Sequence, residues 1–213
     1  MIRFSTRAAK VAASCCAILL TFAASVPAHA YWAWGRTWTS PSTVRYVYGW
    51  AASFTSAEEQ AVHRAAVAYN LTTGSSLRVG GATFTSSVSA LDNAAFQIAR
   101  TTPTGDFPDS VPGVTWRGQD DPRINFSNRA IVFLNPDWIW ATYFSLSNMV
   151  ADFETVTLHE FGHAHGLGHP FNDCAAGDGC PMTPGESASV MNPNFSIKRS
   201  LTSDDRAGLA VIY

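Results

Sequence analysis

The stretch His159-Glu160-Phe161-Gly162-His163-Ala164-His165-Gly166-Leu167-Gly168-His169 holds the side chains best suited to chemistry. Drawn on a helix, His159 and His163 are four apart and project from one face, about 40° apart around the axis. Two imidazoles so placed can bind one Zn²⁺ at the usual Zn–N distance of about 2.0–2.1 Å. Glu160 lies on the flank of that face, where its carboxylate can address a metal-held water without becoming a ligand. Gly166 falls where the helix must stop, because glycine takes up the left-handed backbone that a sharp turn needs. The turned chain then returns His169 as a third ligand. Three protein ligands leave a fourth position for water, the arrangement of a catalytic zinc site. Such a metal lowers the pKa of its water from 15.7 towards about 7, and Glu160 is placed to take the proton. His165 lies about 200° around the helix from His163 and points away from this face. His63 reads as a surface or boundary residue. A histidine-rich helix end without metal is the weaker alternative.

The elements that must hold this segment follow from the flanking sequence. Asp152 can cap the helix that runs through Phe161 to about His165. Upstream, Thr43 to Trp50 alternates β-branched and aromatic residues, a strand signal. Ser56-Ala57-Glu58-Glu59 reads as a capping box, followed by Val62, Ala65, Ala66 and Tyr69 at helical spacing, with Gly74 closing the region. Short strands are expected at 77–85, 94–99, 114–117 and 130–134, between clusters of Pro, Gly and Asp. Residues 166–200 read as irregular, and Thr202-Ser203-Asp204-Asp205 opens a last helix. The order predicts an α+β domain. Tyr31, Trp32, Trp34 and Trp38 form an aromatic cluster expected to be buried on its back.

Composition limits the alternatives. The chain has 213 residues, 46% of them hydrophobic and 14% charged, against roughly 25% charged in ordinary soluble proteins. Residues 1–30 read as a secretory signal peptide: Arg3, Arg7 and Lys10, then a largely apolar stretch, then Ala28-His29-Ala30 at the cleavage position. The apolar run is interrupted and falls short of the ~20 residues that span a bilayer, so no membrane anchor is expected. Residues 31–213 then form one domain, and without the three leader cations 11 cations face 16 acids. That acidic balance argues against a nucleic-acid partner. Cys174 and Cys180, the two cysteines left in the exported chain, are expected to form one local disulfide.

With the extended histidine motif and Ser189-Val190-Met191, the chain resembles the metzincin zinc endopeptidases, and within them the matrixin, or matrix-metalloproteinase-like, family. The likeness spans nearly all of 43–213. It includes Ile131-Val132-Phe133-Leu134-Asn135 with Trp138, and Leu201-Thr202-Ser203-Asp204-Asp205 ending in Ile212-Tyr213. It implies a zincin-like domain with a twisted, mostly parallel five-stranded sheet, three helices, a methionine turn at Met191 below the zinc and a cleft across the metal.

Departures from the pattern are informative. Pro170 stands where matrixins usually place Ser, as in serralysins. Yet Pro193 replaces the tyrosine by which astacins and serralysins reach the metal, so three histidines and water are expected. No cysteine-switch propeptide is visible, and the absence of histidine between 64 and 158 argues against a second, structural zinc. Asp106, Asp109, Asp120 and Asp121 are candidate calcium ligands.

The resemblance implies a secreted, monomeric zinc-dependent endopeptidase, extracellular or periplasmic, acting on protein or peptide substrates through a zinc-bound water activated by Glu160. It also implies that the edge strand Gly113-Val114-Thr115-Trp116-Arg117-Gly118 binds the substrate by strand addition, with Val114 read as a ladder donor. Pro193, Asn194 and Phe195 would wall a pocket for a hydrophobic residue just after the scissile bond. The competing expectation is a zinc-stabilised extracellular binding or adhesion module with an idle site, which would have no need of Glu160.

Overall fold

Alternation puts Arg45–Trp50 in a strand that buries Val47 and Gly49 and turns Tyr46 outward. The computed structural model describes residues 37–72, 74–101, 110–117, 128–170, 183–194 and 196–213. The leader, Tyr31, Trp32, Trp34, the four candidate calcium ligands, Gly118, Cys174, Cys180 and Phe195 therefore lie outside the described residues.

In chain order the elements are β1 (Arg45–Trp50), α1 (Ser56–Ala68), β2 (Val79–Thr85), α2 (Val88–Asp92), β3 (Phe96–Ala99) and β4 (Gly113–Arg117). They continue with β5 (Ala130–Leu134), β6 (Ile139–Ala141), β7 (Val150–Asp152), α3 (Phe153–Ala164), α4 (Pro184–Ala188) and α5 (Ser203–Ile212). Five strands form one sheet in the order β2-β1-β3-β5-β4. All neighbours are parallel except β4, which runs antiparallel along β5 at the edge. The α+β class and the mostly parallel five-stranded sheet agree with expectation.

Parallel neighbours need a crossover, and α1 supplies the one between β1 and β2. It packs against β2 and α3, while α3 packs against β4 and β5. Small residues Ala61, Ala65 and Ala66 form much of the buried face of α1. The core between sheet and helices holds Val47, Phe96, Ile98, Val132 and Phe161. Phe161 meets Phe96 edge-on with centroids 4.9 Å apart. Its burial stabilises by about 1.5–3 kcal/mol, and the ring pair adds about 0.5–1.5. Trp38, 2% exposed, joins this core as expected.

The structure corrects the sequence reading in four places. Five α-helices occur among the described residues, not three, because α2 and α4 are five-residue turns. Neither is long enough to show a helical period; their signals are the caps, Ser87 for α2 and the Thr183–Glu186 capping box for α4. The second correction is a small sheet of β6 and β7, whose three-residue strands are too short for alternation to register. Third, the cap of α1 is Thr55, one residue before the expected box, exchanging bonds with Glu58. Fourth, β2 starts at Val79, whose backbone N–H donates to the Asn70 side-chain oxygen at 2.6 Å. Among the described residues no helix is long and apolar enough to cross a membrane.

Candidate metal centre

The site is built on α3. Its N-terminus is fixed by Asp152, which accepts the Thr155 N–H at 2.9 Å and the Thr155 hydroxyl at 2.6 Å and pairs with Arg199. Almost every residue of the helix is buried, as expected of a helix with little polar surface of its own. It ends as Gly166 predicts: the φ of that residue is +92°, a backbone from which a side chain is disfavoured. The Leu167 N–H reaches back to the Gly162 carbonyl at 2.9 Å and the Gly166 N–H to the His163 carbonyl at 3.0 Å. This paired closure satisfies the last carbonyls of the helix and reverses the chain, which carries His169 towards the other two histidines.

The three Nε2 atoms converge. His163 lies 3.1 Å from His159, and His169 lies 3.2 Å from each. Three nitrogens bound tetrahedrally to zinc at about 2.0–2.1 Å would be about 3.3–3.4 Å apart, so the spacing suits one ion. Protonation points the same way. The Nδ1 of His159 is 2.8 Å from the Val190 carbonyl, and that of His163 is 2.8 Å from the Leu167 carbonyl. A carbonyl only accepts, so both Nδ1 atoms carry hydrogen. Burial lowers the pKa of His159 to about 3 and that of His163 well below its ordinary value, keeping both rings neutral. Their Nε2 atoms therefore present lone pairs to each other at 3.1 Å, a contact with no proton to share. A cation between them resolves that repulsion, and these residues fit a metal.

Glu160 stands beside the histidines, 5% exposed. Burial raises its pKa to about 7, against a lowering from its hydrogen bond with Thr115. The Thr115 hydroxyl is 2.7 Å from Oε2 and 2.8 Å from the Glu160 carbonyl oxygen. A carboxyl poised near neutrality can take up and give back a proton.

Met191 is fully buried beneath the helix, and a Cβ at Gly162 would come within 2.2 Å of its sulfur. The preceding turn is held by Asp205, which accepts the Ser189 hydroxyl at 2.5 Å and the Val190 N–H at 3.1 Å. The Val190 carbonyl then orients His159. Gly162 and Asp205 escaped the sequence reading as site residues. The glycine between two of the histidines and the acid in the last cap were visible, but not what they touch.

A cleft of about 950 Å³ opens over the histidines and Glu160 and is lined by Gly113, Val114, Thr115, Pro193 and Asn194 among others. Five of the expected substrate-binding residues thus share one cleft. Trp116 does not line it; its ring stacks edge-on against Phe133 at 5.1 Å. Neither a protein-family model nor a curated protein matches this chain.

The ladder assigns the free edge of β4. Asn135 N–H donates to the Pro112 carbonyl at 2.9 Å, and Gly113 lies opposite Leu134. Antiparallel alternation then turns the backbone groups of Val114 and Trp116 towards β5 and those of Gly113, Thr115 and Arg117 outward. Val114 is thus a rung of the sheet, and the groups open to an added strand are those of its neighbours. Among the described residues no strand pairs with this outer edge.

His165 lies apart from the three, fully buried, its Nδ1 accepting the Trp38 indole N–H at 3.0 Å. His63 is exposed and its Nδ1 accepts the Ala82 N–H at 3.3 Å.

Proposed function

We propose that the chain is a matrixin-like, zinc-dependent endopeptidase, exported through its leader, that hydrolyses peptide bonds of proteins or peptides. The observation that carries this reading is the convergence of three histidine Nε2 atoms, two on buried rings and one on a half-buried ring, beside a buried carboxylate, at the mouth of a cleft bordered by an open strand edge. His159, His163 and His169 would hold the ion. Bound there, zinc supplies Lewis acidity to water and to the scissile carbonyl.

The chain's own groups do the rest. The outward N–H and C=O groups of Gly113, Thr115 and Arg117 pair with an extended substrate and fix its backbone over the histidines. Pro193 and Asn194, with Val156 and Val190 in the same cleft, take the side chain after the scissile bond. Their apolar surface favours a hydrophobic residue there. Glu160 accepts one proton from the attacking water as the C–O bond forms, and passes it to the departing amine as the C–N bond breaks.

The test is cleavage of unstructured casein by the exported chain, inhibited by a chelator and restored by zinc. Glu160→Ala is expected to retain zinc while losing roughly 10²–10⁴-fold in turnover. Zinc binding without cleavage of any substrate in a broad peptide library would favour the binding-module reading instead.

A further inference from the structure

Strand β4 does more than border the cleft, because its inner face presses on the carboxylate of Glu160. Its buried residues alternate as Gly113, Thr115 and Arg117. At Gly113 the backbone approaches so closely that a Cβ would lie 2.9 Å from the Glu160 Cγ and 3.1 Å from its Oε1. Two residues on, the Thr115 hydroxyl lies 2.7 Å from the Glu160 Oε2 and 2.8 Å from its main-chain carbonyl. Thr115 is itself 7% exposed. One hydroxyl thus spans the two ends of the Glu160 side chain, its helical backbone and its carboxylate tip, and the bare glycine leaves the room that this conformation needs.

We infer that Thr115 is a positioning residue for Glu160, holding Oε2 so that Oε1 is the oxygen that meets the attacking water. This inference rests on the endopeptidase reading for its kinetic consequence. The terminal torsion of a glutamate is broad and roughly two-fold, so an unheld carboxylate presents either oxygen over a range of angles. The Thr115 hydroxyl has one proton and can donate to only one of its two acceptors at a time; the ionised carboxylate is the stronger, and the bond to it selects one arrangement. When Oε1 takes the water proton, Oε2 keeps the Thr115 bond. The proton then sits on the oxygen facing the amine nitrogen to which it must go. A hydroxyl whose only task was to pin β4 to α3 would need the carbonyl contact alone, and the state of the carboxylate would not depend on it.

Thr115→Val removes the hydroxyl at nearly constant shape. The zinc-loaded variant is expected to bind zinc as the wild type does, to keep KM, and to lose roughly 10- to 100-fold in kcat, the scale set by a misplaced reacting group. Thr115→Ser should recover most of that loss. Thr115→Ala carries the same expectation as Val should the valine variant misfold. The second readout is free of turnover: crystal structures of wild type and variant, where the Glu160 carboxylate should leave its place only when the hydroxyl is gone. Wild-type kcat in a folded Val or Ala variant, a loss that Ser does not recover, or a carboxylate that stays in place would each overturn the inference. A wild type that cleaves nothing would defeat the endopeptidase reading, while the crystal comparison would still decide the role of Thr115.

Discussion

Gly162 sits between the two helical histidines and faces Met191, whose sulfur would lie 2.2 Å from an added Cβ, with the Tyr69 hydroxyl at 3.1 Å. Both neighbours are fully buried, so neither can swing into solvent. The Tyr69 hydroxyl is also committed, donating to the Leu158 carbonyl at 2.6 Å. Gly162→Ala should therefore overpack the site and cost about 1–3 kcal/mol in urea unfolding of the metal-free protein. Displacing Met191 also moves Val190, whose carbonyl holds the His159 Nδ1. Zinc affinity, read by competition with a chromogenic chelator, is expected to fall about 10- to 100-fold, as when a ligand's supporting bond is lost. An unchanged midpoint and affinity would show that the turn adapts freely.

At the scale of the element, α3 is held at both ends by devices of different chemistry. Its C-terminus depends on backbone geometry at Gly166, which no charge affects. Its N-terminus depends on Asp152. Burial pushes the pKa of this carboxyl up, but hydrogen bonds from Arg199 and Thr155 outweigh it and hold the group below its ordinary value. The unfolded chain then binds the extra proton first, so stability rises with pH through this range. The contribution is present above about 3.9, the unfolded value, and is lost as pH falls through the lower folded value. Wild-type stability, followed by denaturant unfolding between neutral and acid pH, should fall in that window more steeply than that of Asp152→Asn. Parallel curves would remove Asp152 from the acid response. At neutral pH Asp152→Ala should cost at least the ~0.5–2 kcal/mol of a lost cap.

For the whole molecule, the site is assembled by the core more than by the ion. The sheet, α1 and α3 enclose one hydrophobic cluster that runs from Trp38 through Phe96 and Phe161 to Met191. Carbonyls of Val190 and Leu167 already orient two of the three imidazoles. Zinc removal should therefore leave the fold intact, with near-ultraviolet circular dichroism preserved, while lowering Tm. Linkage sets the scale: free zinc at 1,000 times its Kd stabilises by about 4.1 kcal/mol. Loss of the near-ultraviolet signal on chelation would mean that the metal organises the core.

The metal face, the helix that carries it and the α+β class are legible in the amino-acid sequence because each is local. His159 and His163 share a face by helical period, Asp152 caps by position, and Gly166 turns by its lack of a side chain. The mostly parallel sheet is expected only from the resemblance to matrixins and from no local pattern, and α2, α4, β6 and β7 are too short for any period to reveal. Other features are decided only by tertiary structure. Thr115 and Glu160 are 45 residues apart, and their contact exists because β4 pairs antiparallel with β5 in one register. A shift by one residue would turn Val114 inward and expose Thr115. The same register selects which backbone groups of β4 stay open. Asp205 reaches the turn before Met191 only because α5 docks beside it. Residue types and short spacings carry the three candidate metal-binding histidines; the close contacts around Glu160 and His159 arise where distant segments meet, and strand register and packing set them.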